Sequence, residues 1–129
     1  MIARLLHSLA LASLLAACAP VPTQPTQGLM DVAARPAERA LLNGIRLYED
    51  ARYADSEAQL KNALAAGLVS AKDRAAAHKH LAFIYCTSER VPLCEDSFRA
   101  ARAADPAFAL SRSEAGHPMW GPVYRRLFP

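Results

Sequence analysis

From Pro36 to the C-terminus, apolar side chains return every three to four residues in short stretches, each closed by a turn former, and that period is the period of an α-helix. Pro36 stands as a first-turn residue, with Ala40, Gly44 and Leu47 on one face and Leu41, Ile45 and Tyr48 beside it, which predicts a helix over 36–50. After a break at Asp50-Ala51-Arg52, the residues Tyr53, Ser56, Leu60, Ala63 and Leu64 predict a second helix over 53–66, with Gly67 as its left-handed C-cap. Ser70-Ala71-Lys72-Asp73 has the form of a capping box opening a third helix that runs to about Ser88. Along it His78, Leu81, Ala82 and Tyr85 share a face. Cys94, Phe98 and Ala101 mark a fourth helix between Val91-Pro92 and Asp105-Pro106, with Glu95 and Asp96 near its positive end. Trp120, Val123, Tyr124 and Leu127 predict a short fifth over 118–127, opened by Pro118. The expected fold is all-α: two helical hairpins and a C-terminal capping helix over residues 36–129.

What precedes the helices reads as an address. Residues 1–17 carry one cation, Arg4, and then an apolar run from Ser8 to Ala17 too short for a permanent membrane span, the pattern of a signal peptide. Leu15-Ala16-Ala17-Cys18 resembles the bacterial lipobox, which implies acylation of the Cys18 thiol; an ordinary signal peptide with a chance cysteine is the alternative. Several acyl chains anchor stably where one does not. Ala19, not Asp, follows the cysteine, and in such lipoproteins this implies the inner leaflet of the outer membrane, facing the periplasm. Residues 18–35 read as a semi-rigid, disordered tether, because Ala19 to Gly28 are rich in Pro, Thr and Gln and have no apolar periodicity.

The two hairpins carry the same internal marks. Leu81-Ala82, Tyr85, Phe98, Ala101 and Asp105-Pro106 resemble the tetratricopeptide repeat in order and spacing, with Cys94 at its small inter-helix position. Gly44, Leu47, Tyr53, Ser56, Leu60 and Ala63 match at the same offsets in the first pair. Asn43 stands where a leucine is usual, and Ala40 and His78 replace a bulky aromatic. Gly44 and Ala82 lie 38 residues apart, four more than the usual period, and the surplus falls in the Gly67 to Lys72 connection. Two repeats bury little core, so the Trp120 helix is expected to cap the open end.

Charge and composition exclude several kinds of chemistry. Fifteen Lys and Arg against 12 Asp and Glu give a net charge of +3 with no basic run, so the footprint of a nucleic-acid binder is missing. Five glycines, none in a phosphate-cradling pattern, speak against nucleotide. No nucleophile with a base, no converging carboxylates, no Gly-x-Ser-x-Gly and no His-Glu-x-x-His are visible, so an enzyme is not expected, nor a cofactor. His78 and His80 point about 200° apart on a helix and cannot share a metal ion; His78 reads as a core-edge residue and His80 as a solvated one. With Cys18 acylated in an oxidising compartment, Cys86 and Cys94 are left as a natural disulfide across the third turn, worth at most about 2.6 kcal/mol. Two buried thiols are the alternative, and a redox pair lacks its Cys-x-x-Cys spacing. His117, before Pro118 in a turn-rich segment, orients the capping helix or touches a partner.

A binding surface is the better expectation. In tetratricopeptide hairpins the first helices line a concave groove, and the resemblance puts Leu41, Ile45, Tyr48, Lys79 and Phe83 there. Phe83 falls off the Leu81-Ala82-Tyr85 core face, so it is either a groove anchor or a contact for the N-terminal segment. Leu81-Ala82-Phe83-Ile84-Tyr85-Cys86, Cys94, Phe98, Asp105-Pro106-Ala107-Phe108 and Gly116-His117-Pro118-Met119-Trp120-Gly121-Pro122 resemble the small tetratricopeptide lipoproteins encoded alongside type VI secretion systems. That resemblance implies an envelope scaffold or assembly factor with a protein partner. Pilotins that escort secretins are a second reading, and a cell-wall binder or enzyme using the His117 to Trp120 loop is a third, from another class.

Overall fold

In the computed structural model, which describes Gly28, Asp31 and residues 34–129, the helical period is realised as four long helices and two short ones. They are α1 (Pro36–Glu49), α2 (Tyr53–Ala66), α3 (Ala71–Thr87), α4 (Val91–Ala104), α5 (Arg112–Ala115) and α6 (Gly121–Leu127). Helices α1 and α2 form one antiparallel pair and α3 and α4 another, the second stacked on the first through α3. The fold is therefore all-α, built from packed helix-turn-helix pairs. The signal segment, Cys18 and nearly all of the tether lie outside the described residues.

Small residues decide how closely each pair approaches. A Cβ at Gly44 would stand 2.9 Å from the Leu60 side chain, so only glycine lets α2 sit this close to α1. Ser56, fully buried, fits the same crossing because its hydroxyl donates to the Gly44 carbonyl at 2.7 Å. In the second pair Ala82 and Cys94 take these two positions and both are fully buried. Cys94 is bonded to Cys86 across the turn, with the Cα atoms 5.2 Å apart.

The two turns repeat one another bond by bond at an offset of 38 residues. After α1, the Ala51 N–H donates to the Tyr48 carbonyl at 3.0 Å and the Arg52 N–H to the Leu47 carbonyl at 2.8 Å. After α3, Glu89 donates to Cys86 at 3.4 Å and Arg90 to Tyr85 at 2.8 Å. This is the Schellman closure of a helix, and it places Ala51 and Glu89 at φ 60° and 63°, in the left-handed region that favours glycine. Replacing either by glycine should stabilise the domain by about 0.5–1 kcal/mol, a rise in Tm of about 2–8 °C on thermal melting. Equal gains at the two positions would establish that the turns are energetically equivalent.

The other helix ends follow their local chemistry. Gly67 closes α2 at φ 88°, as its position predicts. At Ser70 the side chain accepts from the Asp73 N–H at 3.3 Å, one half of the expected capping box. The complete box lies elsewhere, at Ser111 and Glu114, where it opens the single turn α5. The C-terminal helix is correspondingly shorter than the 118–127 expected: Pro118 to Trp120 form a turn, Trp120 is the N-cap, and Pro122 opens the helix. Glycine and two prolines within seven residues leave too few backbone donors and too much turn preference for an earlier start.

A charged clasp ties the pairs together on one side. The half-buried Glu57 on α2 accepts from Arg90 at 2.9 Å, Lys61 at 2.5 Å and the Tyr85 hydroxyl at 3.2 Å, while the Arg90 guanidinium covers the Tyr85 ring at 4.5 Å. Burial pushes the Glu57 carboxyl up, but its bonds to Arg90 and Lys61 outweigh that and hold it below the ordinary carboxylate value. The unfolded chain therefore takes up this proton first as pH falls. The stabilisation is present above the ordinary carboxylate pKa and is lost as pH drops through the lowered folded value. Denaturation curves between about pH 6 and pH 3 should show a steeper acid loss in the native chain than in Glu57→Gln.

Candidate functional site

The face expected to bind is carried by α1 and α3, and the rings on it form a continuous series. Tyr48, at the end of α1, packs against Tyr53 of α2 at 5.5 Å and edge-on against His80 of α3 at 5.3 Å. Phe83, one turn further along α3, lies 6.3 Å from Tyr48 and 6.0 Å from His80. It stacks on Trp120 at 4.2 Å, and His117 lies parallel on the far side of the indole at 3.3 Å. His80 is thus enclosed by rings rather than solvated: Nδ1 donates to the Ala76 carbonyl at 2.8 Å, and burial pushes its pKa down. His78, on the opposite side of α3, is also lowered by burial.

The open groove is narrower than the sequence suggests. Leu41 is buried in the α1 face of the core, and Phe83 is 3% exposed. Neither is a surface anchor in this fold. Leu41 is closed off by the packing of α1 on α2 and α3, and Phe83 by the C-terminal segment, which supplies from within the chain what a bound partner would have supplied. Trp120 covers the Phe83 ring, and the Glu114 carboxylate accepts from Lys79 at 2.7 Å, with the Lys79 ammonium 5.7 Å from the Phe83 ring. Glu114 in turn carries the segment: its backbone carbonyl accepts from the Trp120 indole N–H at 2.8 Å, and its carboxylate accepts from the Ser111 N–H at 2.8 Å. Burial raises the Glu114 carboxyl, and the bonds from Lys79 and Ser111 more than offset it, so its pKa is lowered.

What stays accessible is the α1 side of the series. Ile45 and Tyr48 are half-buried, and Tyr53 is 46% exposed. Tyr53 was not among the expected groove residues, although its place five residues after Tyr48, across a tight turn, is the signal that could have found it. On the other flank of Lys79 there is a shallow groove of about 400 Å³ between α3 and the loop after α4. Lys72, Ala75, Ala76 and Lys79 form its floor and Asp105 and Phe108 its wall.

The Trp120 indole offers no free ring face to a flat ligand. One face of Trp120 is covered by Phe83 and the other by His117, and its N–H is spent on Glu114. Among the described residues no group of three or more His, Cys, Asp or Glu is placed to hold a metal ion, and no helix is long and apolar enough to cross a membrane. No protein-family model matches the chain, and neither a curated protein nor a solved structure is significantly similar to it.

Proposed function

We propose that the protein is a lipid-anchored, periplasm-facing scaffold or assembly factor, held at the outer membrane through Cys18, that captures a protein partner on the Ile45, Tyr48 and Tyr53 side of its helical array. The observation that carries the reading is the ring series that ends at the accessible Tyr53. An amphipathic aromatic at the edge of a rigid, buried cluster gives contact area at little entropic cost, which is what a protein-binding anchor needs. The sequence supports the anchor through Leu15-Ala16-Ala17-Cys18. The tetratricopeptide marks, together with the closing motif around Trp120, support an accessory role in a type VI secretion system.

The test is a photoactivatable side chain at Tyr53 of the full chain in cells at native expression, with the same group at Val69, 73% exposed on the α2–α3 connection, as control. Type VI envelope components captured from position 53 and not from position 69 support the proposal. Capture of a secretin would replace it with the pilotin reading. Equal yields from both positions would overturn the binding face altogether.

A further inference from the structure

We propose that the outward face of α1 lies against an anionic phospholipid surface, so that the helix orients the domain on the membrane. Arg39, Leu42 and Arg46 follow one another at i, i+3 and i+7 and share that face; with Asn43 they line a shallow depression of about 360 Å³. Leu42 is 50% exposed between the two cations. Among the described residues the Arg46 guanidinium donates only to the Asn43 side-chain oxygen, at 2.9 Å, and Arg39 makes no ion pair. By contrast, Arg52, Arg90 and Arg99 are paired with Asp55, Glu57 and Glu95. Two guanidiniums free to take phosphate oxygens, flanking one apolar side chain that can enter the headgroup layer, match an interfacial helix.

The placement of the stripe along the chain points to the same occupant. This part of the inference rests on the Cys18 anchor proposed above. Helix α1 is the first long helix among the described residues, and Ala34 lies sixteen positions after Cys18, a reach of at most about 58 Å. An acylated chain therefore holds the stripe near lipid at high effective concentration, where a weak contact suffices. The acids Glu49 and Asp50 stand at the far end of α1, beyond Arg46, and the acid of its first turn, Glu38, is buried and paired with Arg35. Tyr48, nine residues from Arg39, lies half a turn around the helix, so the same docking turns the Tyr48 and Tyr53 face away from the bilayer.

The test uses the chain from residue 18 with Cys18→Ser, so that no acyl chain contributes, in sedimentation with vesicles of equal parts phosphatidylglycerol and phosphatidylcholine and with vesicles of phosphatidylcholine alone. Binding should favour the anionic vesicles at about 50 mM salt and fall away at about 0.5 M. The double variant Arg39→Glu/Arg46→Glu should lose at least about 30-fold, about fivefold for each arginine removed from the surface. Arg112→Glu/Arg125→Glu, with the same change in net charge, should lose far less. Equal loss in both double variants, or no preference for the anionic vesicles, overturns the proposal. So does unchanged vesicle binding in Arg39→Glu/Arg46→Glu together with loss of a protein crosslink at the stripe, which would assign the face to an acidic protein. The mass of the residue-18 peptide from cells reports the acyl anchor separately, so a failed anchor and a failed stripe are distinguishable. Far-UV circular dichroism of each variant checks that α1 is intact.

Discussion

Replacing Trp120 by alanine should cost about 3–5 kcal/mol, a fall in Tm of more than about 10 °C in a domain of this size. The indole is 7% exposed and works on three sides at once. It stacks on Phe83, carries His117 and donates to the Glu114 carbonyl at 2.8 Å. Its removal opens a cavity against α3 and frees the segment that pairs Glu114 with Lys79. Trp120→Phe keeps the ring contact but not the donor and should cost about 1 kcal/mol. Hydrogen exchange separates two forms of the loss. If protection falls over residues 111–127 and persists over 36–104, the C-terminal segment is a detachable cap; if it falls throughout, the two pairs need the cap to stay folded. A loss below about 1 kcal/mol in the alanine variant would mean that the segment does not stabilise the array.

Phe98→Ala should be as severe, about 3–5 kcal/mol by chemical denaturation. The ring is fully buried on α4, between Phe83 at 6.2 Å and Tyr124 at 5.3 Å, and so joins α3, α4 and α6. Leu60, also fully buried, holds the corresponding place in the first pair, 38 residues earlier. Phe98→Leu copies that pair and should cost no more than about 1.5 kcal/mol if the second core can close around the smaller side chain. Because Phe83 touches both Phe98 and Trp120, the double alanine variant should not show the sum of the two losses. A coupling of about 0.5–3 kcal/mol is expected, and additivity within about 0.3 kcal/mol would show that the cap and the second pair are independent.

Much of the fold is legible in particular residues. Pro36, Gly67 and Ser70 mark helix ends that the structure keeps, and Gly44, Ser56, Ala82 and Cys94 mark the close approaches. The Ser111-Arg112-Ser113-Glu114 box was also readable, as a Ser-x-x-Glu pattern, but a one-turn helix has no apolar period to draw attention to it. The candidate site was legible only in part. Ile45 and Tyr48 keep some exposure on the expected face, whereas Leu41 and Phe83 are buried and Lys79 is paired. The buried Glu38, 4% exposed and held by Arg35 at 3.5 Å, had no counterpart in the sequence reading either.

The sequence by itself determined the all-helical class, the pairing of helices into two units and the approach distances within each. These depend on neighbours three, four and a dozen residues apart, where period and side-chain size act directly. Only the tertiary structure decided which side of the array remains open. The contacts that close it, Lys79 to Glu114 and Phe83 to Trp120, join α3 to residues about 35 positions later, and no local preference encodes where a short segment bounded by proline and glycine will come to rest. It settles there because an exposed phenylalanine and an unpaired lysine are most cheaply satisfied by a tryptophan and a glutamate already on the same chain.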